Sequence, residues 1–218
     1  MSELQIADDS RGSELFPEYA ALYALIAAEV EGLTDQHLDF ESDTWEWSEW
    51  SIRRQLSHMA SLIYRWLIIR WDETLFPNGS HGVEDVEGVA TATDRRMDKE
   101  HYWELPVIMA KLEEGIDLAQ RVLAERSVGF LRSQTVLRED PGSAEADLIR
   151  SAHKTGVTLT VDGGTIWTVE ATMRHIYFEE TTHLYNIQRL KRAQRLPTAV
   201  EVPRVGYWTV EGWDTSEP

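Results

Sequence analysis

The chain has 218 residues and a formal net charge of -17, with 38 acidic side chains against 21 Lys and Arg. A surface this acidic repels phosphate backbones and argues against nucleic acid as a partner. The chain contains no Cys, which excludes disulfides, thiolate metal ligands and a cysteine nucleophile.

The N-terminal part is predicted to begin with a flexible segment, residues 1–13, which lacks the basic and apolar regions of a signal peptide. A first helix is predicted from Leu15 to Gly32, followed by a Trp-rich loop with a short turn at Thr34 to Leu38. The most apolar run, Leu62 to Trp71, is interrupted by two arginines and is too short to span a bilayer. We therefore expect a cytoplasmic protein that does not enter a membrane.

A second helix is predicted to begin after the N-cap residue Ser51 and to run to Phe76, directly before Pro77. Its apolar residues recur at helical spacing and form one stripe. His58 lies at the edge of this stripe. A single histidine in such a place is more often packed in a core than bound to a metal, so His58 alone does not indicate a site.

The middle of the chain combines loops with one further long helix. Residues 77–95 are Gly-rich and acidic, which predicts a loop, and a third helix is predicted from His101 to Glu125. Residues 126–165 are predicted to form short strands or turns around a short helix at Ala144 to His153. Thr165 is the predicted N-cap of the last helix.

The last helix, predicted from Glu170 to Arg195, contains neither Gly nor Pro. His175, Glu179 and His183 follow one another at four-residue intervals and so lie on one side of this helix. His175 and His183 are about 12 Å apart along the axis, too far to bind one ion together. A metal pair is therefore either His175 with Glu179 or Glu179 with His183, and a further ligand has to come from elsewhere. An isolated pair of this kind is more often solvated.

Four major helices without long strands indicate an all-α protein with a long crossover between the helices. Residues 14–195 are expected to form the helical bundle. Residues 196–218 contain three Pro and two Trp without a helical pattern, and are expected to pack on the bundle as an extended arm.

Two segments carry a family resemblance, TWEWSEWSIRRQLSHMASL and TVEATMRHIYFEETTHLYNIQRL. The first resembles a Trp-Ser-hydrophobic helix start that reaches a His about seven residues later, and the second resembles a final helix with His and Glu at four-residue spacing. Together, in this order and more than a hundred residues apart, they resemble the DinB/YfiT-like superfamily. The resemblance implies a four-helix bundle that binds one divalent metal.

Carried over position by position, the resemblance implies that His58, Glu179 and His183 are the metal ligands. Most relatives have His in the place of Glu179, and Glu there is similar to the mycothiol-dependent maleylpyruvate isomerase branch. His175 occupies an upstream position that is not normally a ligand. The chain departs from the family pattern at 184–186, where Leu-Tyr-Asn replaces the common Arg-Gly-Gln.

The function that the resemblance implies is that of a metal-dependent enzyme. Three protein ligands leave a coordination position open for water or substrate. Zinc or nickel is the expected ion, and iron or manganese also suits such ligands. The ion would activate a low-molecular-weight thiol or water for transfer, isomerisation or hydrolysis of a small molecule. His175 and Tyr64 are candidates for second-sphere or proton-transfer roles, the catalytic base is not identified, and a homodimer is expected.

Two alternatives compete with this function. Glu180 and His183 form a Glu-x-x-His pair as in di-iron bundles, but none of the other His has a Glu three residues before it, which argues against a di-iron centre. The second alternative is a non-catalytic metal-binding bundle that acts in stress responses through dimerisation. Turnover of a thiol substrate separates it from the enzyme.

Overall fold

The computed structural model describes residues 6–139, 148 and 151–218. This part of the chain is mostly helical and adds a small three-stranded sheet. The helices, in chain order, are α1 Gly12–Leu15, α2 Tyr19–Val30, α3 Asp35–Leu38, α4 Ile52–Tyr64, α5 Asp72–Leu75, α6 Val86–Ala90, α7 Leu105–Glu125, α8 Val128–Ser133 and α9 Val169–Ala193. The strands are β1 Thr135–Arg138, β2 Val157–Leu159 and β3 Thr165–Thr168.

Local sequence signals explain where several helices begin and end. The Ser51 side chain accepts a hydrogen bond from the backbone N–H of Arg54, so α4 begins where the sequence predicts. The predicted single helix from Leu15 is wrong at its start, because Pro17 interrupts it and separates α1 from α2. The third long helix begins four residues later than predicted, with Pro106 in its first turn, where no N–H donor is needed.

The second long helix does not continue as an α-helix to Phe76. After Tyr64 the backbone forms a π-helical turn over Arg65–Ile69, and the separate short helix α5 follows. A π turn accommodates an extra residue and rotates the following side chains relative to an α-helix. This rotation decides which side chains face the region between α4 and α9.

The four longest helices pack on one another in a closed order. α4 contacts α7 and α9, and α2 contacts the same two helices. Each helix contributes fully buried apolar side chains to one continuous core, and examples are Leu22, Ile26, Leu56, Ile63, Ile108, Leu112, Ile176 and Leu184. Most residues of α9 are buried, since it is covered by α2, α4, α8 and the C-terminal segment.

The sheet adds a feature that a purely all-α class does not contain, in the region where only short strands or turns were predicted. β3 is the central strand, and β1 and β2 pair with it in antiparallel register. β3 leads directly into α9, whose N-cap is Thr168. The prediction that Thr165 caps this helix is therefore wrong, because Thr165 lies at the start of β3. Most of the helix predicted at Ala144 to His153 lies outside the described residues.

The C-terminal segment, residues 196–218, follows α9 back along the helices and contains a 3-10 turn at Tyr207–Thr209. Its start is held by Glu29, whose buried carboxylate accepts hydrogen bonds from the backbone N–H groups of Ala199 and Val200. The same carboxylate forms a buried ion pair with Lys191 at 2.5 Å. Glu29 of α2 therefore joins this helix to α9 and to the C-terminal segment.

A second buried carboxylate, that of Glu180, has a different environment. Glu180 is fully buried, and neither carboxylate oxygen has a hydrogen-bond partner within the described part of the chain. Burial, and after it the charge of Glu179, raise the pKa of Glu180 well above its usual value. Burial thus favours the protonated, neutral form of Glu180 in the core.

None of the described helices combines the length and the apolar composition that crossing a membrane requires.

Replacing Lys191 by Met should strongly destabilise the protein, because the buried carboxylate of Glu29 then lacks its cationic partner. We expect a loss of about 3 kcal/mol in the free energy of unfolding, measured by urea denaturation at pH 7. The matched control is Arg192→Met, which removes a partly exposed ion pair with Glu217 and should cost less than about 1 kcal/mol. Equal losses in the two variants would contradict a structural role for the buried pair.

Replacing Glu180 by Gln should stabilise the protein at neutral pH. Above pH 4.5 the unfolded wild type releases a proton that the folded chain retains, so its stability falls as the pH rises towards the raised pKa. The advantage of Glu180→Gln should therefore grow by up to about 1.4 kcal/mol per pH unit over this range. Urea denaturation at pH 5, 6 and 7 measures it. The exposed control Glu211→Gln should change stability by less than about 0.5 kcal/mol, and a pH-independent difference at Glu180 would refute its neutral state.

Candidate metal centre

The contact between α4 and α9 brings together the three residues that the resemblance indicates. His58 comes from α4, and Glu179 and His183 come from consecutive turns of α9. Each offers one ligand atom, and these atoms all lie within 4.8 Å of one another. The three residues form the one group among the described parts of the chain that can hold a metal ion. His58 is buried, with 4% exposure, whereas Glu179 and His183 are partly exposed, so the group lies at the edge of the core.

The hydrogen bond of His58 determines which ring nitrogen is available. Its Nδ1 lies 2.8 Å from the backbone carbonyl oxygen of Arg95. A carbonyl can only accept, so Nδ1 carries the proton and Nε2 keeps its lone pair. Such a bond from the second nitrogen to an oxygen acceptor is usual for histidines that bind metals, because it fixes the ring and its tautomer.

His183 is held in the same way, by a side chain from α4. Its Nδ1 is hydrogen-bonded to Oε1 of Gln55. The amide nitrogen of Gln55 donates to the carbonyl oxygen of Trp50 at 3.3 Å, which directs Oε1 rather than Nε2 towards the imidazole. Nδ1 of His183 is therefore the donor, and Nε2 faces Glu179 with its lone pair.

The protonation states of the group suit a cation. Burial, and then the neighbouring His183, lower the pKa of His58 to about 3. Burial acts to raise the pKa of Glu179, but the favourable interaction of the carboxylate with His183, His175 and His58 outweighs it and lowers this pKa to about 2. At neutral pH the group thus contains a neutral imidazole at His58 and a carboxylate at Glu179.

The spacing of the donors fits one small ion. Nε2 of His183 and Oε2 of Glu179 are 3.4 Å apart. Two donors bound at about 2.1 Å to one zinc ion in a tetrahedron are about 3.4 Å from each other. Two lone pairs directed at each other repel unless a cation or a proton lies between them. The chemistry and the spacing of the donor set therefore fit a divalent metal.

An aromatic side chain covers the outer side of the group. The Trp50 ring is parallel to that of His183, with an interplanar angle of 8°, and meets the His58 ring edge-on. The guanidinium of Arg96 lies over the same indole at 5.3 Å. Trp50 thus limits the access of water to the imidazoles from this side, while a cavity of about 70 Å³ opens beside His58 and Glu179.

The two other candidates from the sequence lie in different places. His175 lines the cavity beside Glu179, and its Nδ1 is 2.5 Å from the Tyr207 hydroxyl, which also contacts Nε2 of His153 at 2.7 Å. Burial lowers the pKa of His175 to about 4, so this imidazole is neutral at pH 7. Tyr64 does not occur among the described residues that line the cavity, and its hydroxyl donates to the carbonyl oxygen of Lys111 on α7.

Several residues of the site were not identified from the sequence. Gln55 lies three residues before His58, so helical spacing places the two on one face of α4 and could have indicated its role. Trp50, Arg95 and Tyr207 belong to segments without helical periodicity. Their approach to the site depends on how loops pack, which no local pattern reports.

Comparisons of the chain with protein-family models, with curated proteins and with solved structures gave no match.

Replacing Gln55 by Leu should weaken metal binding although Gln55 is not a ligand. The substitution removes the acceptor that fixes the tautomer of His183. We expect zinc affinity to fall about 10- to 100-fold, measured by competition with a chromophoric chelator. The control Gln120→Leu removes a hydrogen bond to the Tyr19 carbonyl, far from the site, and should leave the affinity unchanged. Unchanged affinity in Gln55→Leu would show that this bond does not orient a ligand.

Proposed function

We propose that this chain is a mononuclear metal-dependent enzyme with a DinB/YfiT-like four-helix bundle fold, and that His58, Glu179 and His183 hold one divalent ion. The strongest support for the proposal is the way in which the two imidazoles are held. Both histidines donate Nδ1–H to an oxygen acceptor, Nε2 of His183 lies 3.4 Å from Oε2 of Glu179, and one ligand atom from each of the three residues lies within 4.8 Å of the others. The three potential ligand atoms therefore lie close together, and no N–H group lies between them.

The packing of the helices supports the bundle. α2, α4, α7 and α9 contact one another in a closed order, as the four helices of a bundle do. The ligands come from the second and the last of these helices, which is the distribution that the resemblance implies. The small sheet and α8 lie in the connection between the third and the fourth helix, where a long crossover is expected.

The ligand set favours an ion that accepts nitrogen and oxygen donors. Two imidazoles and one carboxylate suit zinc or nickel, and iron or manganese also bind such ligands. Three protein ligands leave a position open, as in catalytic rather than structural sites. When bound, a divalent ion lowers the pKa of a coordinated water or thiol and so supplies a nucleophile near neutral pH.

The residues around the candidate metal centre would have different roles in such a reaction. Gln55 and the Arg95 carbonyl orient the imidazoles, and Trp50 excludes water from one side. His175, neutral and held by Tyr207, forms a wall of the cavity in which a small molecule would bind. Because the chain has no Cys, a thiol for this chemistry has to be a separate small molecule. Transfer, isomerisation or hydrolysis involving a low-molecular-weight thiol or water is therefore the proposed activity.

Elemental analysis of protein purified without a nickel column tests the metal site. We expect about one equivalent of metal in the wild type and less than a tenth of it in Glu179→Ala and in His183→Ala, because two ligands do not retain an ion as three do. The exposed His101 is the control, and His101→Ala should keep the full content. A wild type that remains metal-free after incubation with zinc and nickel would refute the proposal.

Turnover separates the enzyme from the alternative. Metal-dependent consumption of a thiol together with an electrophile, abolished in Glu179→Ala, would support catalysis. Metal binding without turnover across a broad panel of thiols would instead favour the non-catalytic metal-binding bundle.

A further inference from the structure

The cavity beside the candidate metal centre has an unusual lining. Its walls include His58 and Glu179 of the centre, and four arginines also line it, namely Arg65, Arg70, Arg95 and Arg138. The whole chain has only 21 Lys and Arg and a net charge of -17. Four arginines that line a cavity of about 70 Å³ thus contrast with the acidic character of the rest of the protein.

The π-helical turn after α4 places two of these arginines. Arg65 and Arg70 are five residues apart, and in an α-helix they would point in directions that differ by roughly 140°. The turn over Arg65–Ile69 adds a residue to the helical repeat and brings both side chains to the cavity. Trp66 from the same turn forms part of the wall, and the Arg70 guanidinium lies 4.3 Å from the centre of its ring.

The other two arginines come from separate parts of the chain. Arg138, at the end of β1, lies 5.9 Å from the ring of Trp66, so this indole contacts two guanidinium groups. Arg95 has a positive φ of 63°, a conformation that is uncommon for residues other than Gly. Its carbonyl oxygen accepts a hydrogen bond from His58, and the residue also lines the cavity. One residue therefore joins the metal ligand to the basic lining.

The chemistry of the lining indicates what it binds. The guanidinium group presents a planar fork of donors that fits carboxylate and phosphate oxygens. Arg65, Arg70 and Arg138 have further interactions within the protein, which hold these side chains in place. Among the described lining residues, Glu179 is the single carboxylate, and it belongs to the candidate centre.

We infer that this cavity binds an oxyanion group of the substrate, a carboxylate or a phosphate, next to the metal ligands. The volume corresponds to roughly two water molecules, so the cavity accommodates the charged head group while the remainder of the molecule extends outwards. The inference extends the proposed function and rests on it in one respect, namely that the bound molecule is called a substrate. Binding of the oxyanion itself requires only the arginines, and this allows an independent test.

The test is calorimetric titration of the full chain with malonate and with inorganic phosphate, as purified and after treatment with EDTA. We expect saturable binding of at least one anion. Arg70→Gln and Arg138→Gln should weaken it about tenfold or more, because each removes charged hydrogen bonds to the anion. Arg70→Lys keeps the charge without the fork and should have an intermediate effect. The exposed control Arg204→Gln should bind like the wild type.

The outcomes distinguish the inference from the proposed function. Binding of malonate alone would identify a carboxylate and binding of phosphate alone a phosphate, and either supports the inference. No saturable binding of either anion, or equal binding by wild type, Arg70→Gln and Arg138→Gln, would overturn it. Metal content, measured on the same samples, reports on the metal site separately. Circular dichroism verifies that each variant is folded. If Arg70→Gln does not fold, Arg70→Lys replaces it in the test.

Discussion

The packing of α4 against α9 is the contact on which the candidate site depends. It places Gln55 and His58 of one helix opposite Glu179 and His183 of the other, although Gln55 and His183 are 128 residues apart in the sequence. The apolar residues of both helices belong to one core, so hydrophobic burial fixes the relative position of the polar groups. The ligand geometry is therefore supported by the core rather than by flexible loops.

Burial of polar groups extends beyond the site and follows one physical rule. A buried carboxylate either finds partners or becomes neutral. Glu29 takes the first course, with Lys191 and two backbone N–H groups. Burial shifts Glu180 towards the second, because it raises the pKa of this carboxyl. Glu179 lies between these cases. The neighbouring imidazoles lower its pKa, so it stays ionised, and its carboxylate can bind a cation.

The basic cavity and the acidic surface together suggest how a charged small molecule is selected. Arginines from the π turn, from β1 and from the loop before α7 meet beside the ligands. In the proposed site an oxyanion would gain bidentate hydrogen bonds, whereas the net charge of -17 disfavours large polyanions such as nucleic acids at the surface. The proposed metal chemistry and the proposed oxyanion site thus occupy adjacent halves of one cavity.

Caps and periodicity are local properties, so the amino-acid sequence was enough to locate the central parts of the long helices, the N-cap at Ser51 and the row of His175, Glu179 and His183. Combined with a family resemblance, it also indicated His58 as the third member of the group. The three-dimensional structure was needed to show that Glu179 pairs with His183 rather than with His175. It was also needed to reveal the π turn, the sheet and the four arginines that line one cavity. These features arise from packing between distant segments, and local patterns carry no information about such contacts.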